Sequence, residues 1–524
     1  MQHQKRFPFH PFLFALYAII SLLAFNIAQV APSDAWRSLF VVMGGTAVFM
    51  LTATAFTRDS NRAGLTASIF LLFFFSFGHI LRLSTQLLPN IDFVYHFRVL
   101  FSLWMTLLAS GVWWTMRILR RDIRGVTRFL NTVAAVSLIW PTLTVTTHVW
   151  ESAQNKHIET GNPTAMAAIN LSSTEPIQEL PDIYYIILDG YGRADVLKDF
   201  YQLDNRDFLN ALADRGFYVA ANSHSNYIQT TLALASTMNF TYLDDLAGQV
   251  GRTSEDRGPL LRMIQHSQLA DKLRQHGYHI VAIPSRVPAL TPADADVEMA
   301  RAGLSTLNDF ESLLLANTLP GYVFVSRILL YDMHLQSTLN VFERLDEAAA
   351  IPGPKFVYAH VVAPHPPFVL DSEGNYIQPA KEYSMHDGDV YGQERQAYVD
   401  GYREQLIYIN KRVLAAVDTI LANSSPTPII VLQGDHGPGS RLVWGSVQDT
   451  CIYERVSILN AYLVPENVSA LLYDSISPVN SFRVILDDLL GMEMGLLPDN
   501  SYFSSWQTIY NFVDVTNRQA EQCP

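Results

Sequence analysis

Five apolar stretches crowd the first 150 residues, at 10–30, 38–57, 64–83, 99–119 and 129–150. A bilayer core of about 30 Å needs roughly 20 such residues in a helix, and each stretch is long enough. A chain with this beginning has to fold in two solvents. Charged residues make up only 16% of the sequence, well below the roughly 25% of soluble domains. Pro141 sits inside the fifth stretch, where it predicts a kink that neighbouring helices tolerate. The first stretch follows Lys5-Arg6 and precedes small residues near 28–31, as a signal peptide would. Its length favours a retained helix.

Orientation follows from lysine and arginine in the short loops. One side carries Lys5, Arg6, Arg58, Arg62, Arg117, Arg120, Arg121, Arg124 and Arg128; the other carries Arg37, Arg82 and Arg98. The first set is expected to face the cytoplasm. Five spans then place everything after residue 150 on the extracytoplasmic side, periplasmic or extracellular. Residues 151–180 are polar and rich in small residues, Asn and Pro, and read as a linker. The expected domains are thus 1–150 in the membrane, 151–180 as tether and 181–524 outside. The formal net charge of -13 argues against a nucleic-acid partner. Two cysteines, Cys451 and Cys523, exclude a disulfide framework or a cysteine metal site. Both fall on the outer side, where a disulfide persists. They are either paired, tying the C-terminus to the loop after Asp435-His436, or two free thiols.

From residue 181 short apolar runs alternate with amphipathic stretches. DIYYIILD (182–189), KFVYAHVVAP (355–364) and PIIVLQGDHG (428–437) read as buried strands. NRDFLNALADRGFYV (205–219) and LADKLRQHGYHIVAIPS (269–285) read as helices leading into strands. This alternation predicts an α/β domain with a mainly parallel sheet covered by helices on both faces. The segment 286–350 reads as helical core packing, with a place against the bilayer as the alternative.

In parallel sheets ligands bind beyond the carboxyl ends of the strands, and several strands here end in reactive residues. The first runs into Asp189, another into Asp435-His436 between Gly434 and Gly437, and His365 follows a third. Thr230 and Thr231 open an apolar helix. Taken singly, each has a plain explanation. Asp189 suits a turn, the threonines suit a helix cap, His365 between prolines suits a rigid loop, and His360 reads as structural. Taken together, two carboxylates, an imidazole and a hydroxyl complete the shell of one divalent cation. Mixed oxygen and nitrogen donors suit Mn²⁺ or Zn²⁺ better than Ca²⁺. A cation beside a hydroxyl makes it a nucleophile, and a helix N-terminus favours an anion.

YYIILDGYGRADVL, SNYIQTTLALASTMN, VAPHPPFVLDSEG and VLQGDHG, in this order, resemble the alkaline phosphatase superfamily. Within it the chain is similar to sulfatase-like membrane transferases such as lipoteichoic acid synthase and the phosphoethanolamine transferases. That resemblance implies Asp189, Thr230, Asp435 and His436 as metal ligands, Thr230 as nucleophile with Thr231 as the alternative, and His365 at the transferred or leaving group. It also implies transfer of a phosphoglycerol- or phosphoethanolamine-type group through a phospho-threonine. The donor would be a phospholipid or similar phosphodiester, and the acceptor an envelope glycan or lipid. There are departures. Asp189 stands where a glutamate is common in those transferases, and no histidine follows between residues 437 and 455, which speaks against a second metal. The Cys/Ser-x-Pro-x-Arg motif of true sulfatases is missing from the sequence. The alternatives are a phosphodiesterase or sulfatase-like hydrolase with the same site, and a membrane protein that binds a ligand without turnover. A transporter is disfavoured, because the spans hold few ionisable residues.

Overall fold

The computed structural model describes residues 7–27, 30, 32–87, 93–118, 122–159, 180–299, 307–319, 321, 329–377, 383–391, 395–519 and 523. Residues 160–179 of the expected linker, and residues 28, 29 and 31 at the possible cleavage site, lie outside them. The chain forms two compact units: Met1–Ile169 with Leu307–Leu330, and Asn170–Thr306 with Tyr331–Pro524.

Among the described residues of the first unit, four helical segments are long and apolar enough to cross a membrane: Pro32–Thr57, Ser60–Ser84, Phe97–Arg117 and Arg124–Trp150. They anchor the chain in a membrane. The first expected span is shorter than its apolar stretch, with a helix of 16 residues, His10–Phe25. At 1.5 Å per residue that is about 24 Å. Pro141 acts as expected. It has no N–H, and its ring meets the carbonyl four residues back. The helix Arg124–Ser137 accordingly ends at Leu138, and a second helix, Ile139–Glu159, takes over.

The stretch 307–330 departs from the expectation of packing in the external core. Its helix Asp309–Ala316 opens with a capping box between Asn308 and Glu311. Phe310 and Leu314 pack on Ile19, Leu23, Val30 and Ala35, and Arg37 pairs with Glu311. The leucine spacing was legible, but the partner of its apolar face was not.

The second unit is built on a seven-stranded sheet. Its strands are β1 (Ile183–Leu188), β2 (Tyr218–Val219), β3 (His279–Ile283), β4 (Val297–Glu298), β5 (Lys355–Val361), β6 (Ile429–Gly434) and β7 (Asn460–Leu463). The spatial order is β2-β7-β6-β1-β5-β3-β4. The strands β6, β1, β5, β3 and β4 run parallel, and β7 runs antiparallel to β6 and to β2. Every residue of β1, β5 and β6 is buried, as strands covered on both faces require. Alternate residues of β1 feed two cores. Ile183, Tyr185 and Ile187 join one that includes the helices Thr230–Thr237 and Pro478–Leu490. Tyr184, Ile186 and Leu188 join the other, with the helices Leu330–Ala349 and Arg395–Asn423. A short hairpin, β8 (Tyr502–Phe503) with β9 (Val513–Asp514), lies outside the sheet. Cys451 and Cys523 are paired across a separation of 72 residues.

Candidate metal centre

Strand register assembles the centre. Leu188 lies opposite Gly434 in the β1–β6 pairing, so the next residues, Asp189 and Asp435, leave the sheet side by side. The glycines around them are there for space. A Cβ on Gly434 would stand 2.6 Å from the carbonyl of Tyr191, and one on Gly437 2.1 Å from that of Glu454. Gly190 holds φ at +75°, a conformation that favours glycine, and its N–H donates to Asp435 Oδ1 at 3.0 Å.

The imidazole of His436 is set by its Nδ1, 2.9 Å from the carbonyl oxygen of Gly437. A carbonyl only accepts, so Nδ1 carries the proton and Nε2 presents a lone pair. Burial first, and then the Arg455 guanidinium, hold this imidazole below its ordinary pKa and keep it neutral. Around Nε2 stand Thr230 Oγ1 at 3.1 Å, Asp435 Oδ2 at 3.4 Å and Asp189 Oδ1 at 3.5 Å. Asp189 Oδ1 and Asp435 Oδ2 are buried without a hydrogen-bond partner among the described residues. Unpartnered buried carboxylate oxygens are costly. Here they converge with a nitrogen lone pair, and the three donor atoms lie within 4.8 Å of one another. That donor set fits a divalent cation.

Thr230 is the first residue of its helix. The preceding Gln229 is pinned by its side-chain amide, which donates to Ser504 O at 3.1 Å and Ser505 O at 3.2 Å. Thr230, rather than Thr231, turns its hydroxyl to His436. His365 follows β5, and its backbone N–H donates to Asp189 O at 3.0 Å. Its Nδ1 lies 2.6 Å from Pro366 O, so Nε2 is the nitrogen free to exchange a proton. The His365 and His436 ring centres are 6.2 Å apart.

Two residues of this centre, Asp387 and Arg455, were not singled out in the sequence, and a third, His360, read there as structural. His360 on β5 places Nε2 3.2 Å from Asp189 Oδ2. Its neighbour in the register is Ile187, so only the strand pairing reveals the contact. Burial raises the pKa of Asp189, but the neighbouring imidazoles, His365 first and then His360 and His436, outweigh it and hold the carboxyl well below its usual range. Asp387 lies in a loop and is buried. It accepts from Tyr398 Oη at 2.8 Å and Arg455 Nη1 at 2.5 Å, and lies 4.0 Å from His365 Nε2. Burial pushes this carboxyl up; Arg455, His365 and His436 more than reverse that. Arg455 was legible in principle, as a lone cation before the apolar run of β7.

No family model and no curated protein sequence matches the chain. Solved structures similar to it include the periplasmic domain of EcEptC from Escherichia coli, at 13% identity over 66% of this chain and 94% of that one, with a TM-score of 0.41. The integral membrane lipooligosaccharide phosphoethanolamine transferase A from Neisseria meningitidis is 11% identical over 91% of this chain and 94% of its own, with a TM-score of 0.40. A protein in the alkaline phosphatase superfamily from Vibrio parahaemolyticus is 11% identical over 62% and 73%, with a TM-score of 0.37. At this distance, function has to be read from the side chains of the site itself.

Proposed function

We propose that this chain is a membrane-anchored, metal-dependent enzyme of the alkaline phosphatase superfamily, with its catalytic unit on the extracytoplasmic side. It transfers a phospho-group, of phosphoglycerol or phosphoethanolamine type, from a lipid phosphodiester to a glycan or lipid of the envelope. One observation carries the proposal: the Thr230 hydroxyl lies 3.1 Å from the unprotonated imidazole nitrogen of His436, where two buried carboxylate oxygens without a hydrogen-bond partner among the described residues also converge.

Asp189, Asp435, His436 and Thr230 would hold the cation, Mn²⁺ or Zn²⁺, which supplies Lewis-acid charge and lowers the pKa of a hydroxyl beside it. Thr230 Oγ1, ionised in the loaded site, attacks the donor phosphorus and is released as the same alkoxide when the cycle closes. The new Thr230–phosphorus bond forms as the bond to the lipid oxygen breaks, and His365 Nε2 gives that oxygen its proton. The acceptor hydroxyl then attacks the phospho-threonine, hands its proton to His365 and releases Thr230. His365 thus begins and ends the cycle protonated, and Thr230 carries the group between two substrates that need not be bound together.

The test is product analysis with the full-length protein and a defined phospholipid donor, with and without a sugar or lipid acceptor. Transfer to the acceptor supports a transferase. Release of the free phospho-group at the same rate in both cases would identify a hydrolase instead. No turnover with any phosphodiester would leave a binding protein.

A further inference from the structure

Arg455 is 1% exposed and is fixed on several sides. Its Nε donates to Ile228 O at 3.0 Å, and Nη1 donates to Gly437 O at 3.0 Å and to Asp387 at 2.5 Å. The Trp444 ring lies 5.6 Å from its Cζ. The remaining nitrogen, Nη2, stands 3.3 Å from His436 Nε2. That nitrogen is one of the atoms assigned above to the cation. A guanidinium does not give up its proton in a protein. A permanent positive charge is therefore built beside the place where a second one is to be held.

The charges of this buried cluster leave a negative remainder. Asp189, Asp435 and Asp387 are three carboxylates, and Arg455 is one guanidinium. The remainder is two negative charges, which one divalent cation neutralises. Removing Arg455 leaves an extra negative charge facing the cation, whereas removing the charge of Asp387 leaves Arg455 unopposed. Neither side chain is placed to bind the cation itself. Asp387 also lies 4.0 Å from His365 Nε2, so one carboxylate stands between the guanidinium and the proton-carrying histidine.

We propose that Arg455 and Asp387 are positioning residues that set cation affinity in opposite directions, Arg455 weakening it and Asp387 strengthening it. This inference rests on the proposed function, since it needs a cation at His436. Its role there is to keep the cation's charge from being spent wholly on the protein's carboxylates, so that it still acts on a bound phosphate oxygen.

The experiment uses the full-length protein in detergent, stripped with chelator and titrated with Mn²⁺ alone, then with Zn²⁺ against a competing chelator. Charge changes this close to a cation are expected to shift Kd by about tenfold or more. Arg455→Gln keeps hydrogen-bonding groups without the charge and should bind the cation more tightly than wild type. Asp387→Asn should bind it more weakly, and the double variant should fall between the two. If Arg455→Gln does not fold, Arg455→Met, which keeps the packing on Trp444, repeats the test. A purely architectural pair would weaken binding in both single variants, and that result overturns the inference while leaving the cation site standing. Wild type that takes up neither metal overturns the proposed function and this inference together.

Discussion

The two ends of the same three strands are built on opposite principles. At the amino ends of β1 and β5, Lys355 Nζ meets Asp182 Oδ2 at 2.5 Å and the carbonyl of Ile351 at 2.7 Å. The other carboxylate oxygen of Asp182 accepts the N–H of Lys355, and its backbone carbonyl accepts that of Ile429. Acid, base and backbone are matched there. At the carboxyl ends, by contrast, Asp189 and Asp435 each keep a buried oxygen without a hydrogen-bond donor among the described residues. A buried charge that holds strands together thus differs from one that is kept for a ligand. The first is satisfied by its own chain. The second points its free lone pairs at a shared space.

Substitutions at the two ends should therefore fail in different ways. At the carboxyl end, Thr230→Ala should cost on the order of 10³-fold or more in turnover, because no residual nucleophile remains, with the thermal midpoint little changed. Asp435→Asn should lose bound Mn²⁺ or Zn²⁺, read by elemental analysis, with a comparable loss of turnover. At the amino end, Lys355→Met leaves the half-closed Asp182 without its cation. Breaking a buried pair from one side costs about 3–5 kcal/mol, so a lowered denaturation midpoint with unchanged cation affinity per folded molecule is expected. If Lys355→Met abolished cation binding in folded protein, the contrast between the ends would not hold.

Space gives a smaller effect. Gly434→Ala drives a Cβ to 2.6 Å from the Tyr191 carbonyl, and overpacking of this kind costs about 1–3 kcal/mol. Gly445 has open space around its α-carbon, and alanine there should be neutral in the same denaturation assay.

A half-buried imidazole outside the metal centre supplies a pH test. His224 Nε2 lies 3.1 Å from Arg193 Nη1, and burial first, then the Arg193 charge, push its pKa down from 6.5 to about 3. Between those values the unfolded chain binds a proton at His224 and the folded chain does not. The stability this neutral histidine allows is present above about pH 6.5 and is lost as pH falls toward 3. Denaturation curves of His224→Gln should accordingly fall less steeply over that window than those of wild type. Parallel curves would contradict the assignment.

Much of the sheet was legible because buried parallel strands are continuous apolar runs, and 182–189, 355–364 and 428–437 have that form. Asp189, Asp435 and His436 stood out because an acid or imidazole directly after such a run marks a strand end. The contacts of His360, Asp387 and Arg455 were hidden for a common reason. Each depends on which distant segment lies alongside, and neither strand periodicity nor turn chemistry carries that information. The same limit applies to 307–330, whose leucines announce an apolar face without naming Ile19 and Leu23 as its partners. Helix length in the membrane unit departs from the apolar stretches at the first, which ends as a helix at Phe25 although apolar residues continue, and at the fifth, whose helix runs on to Glu159 into the expected linker.

The central claim is that Thr230 carries the group. The most direct measurement is peptide mass spectrometry of acid-quenched full-length protein after incubation with phosphatidylglycerol or phosphatidylethanolamine. The expected result is a phosphoglycerol or phosphoethanolamine adduct on Thr230 in wild type and none in Asp435→Asn. Sustained turnover with no adduct, or an adduct on Thr231, would contradict it.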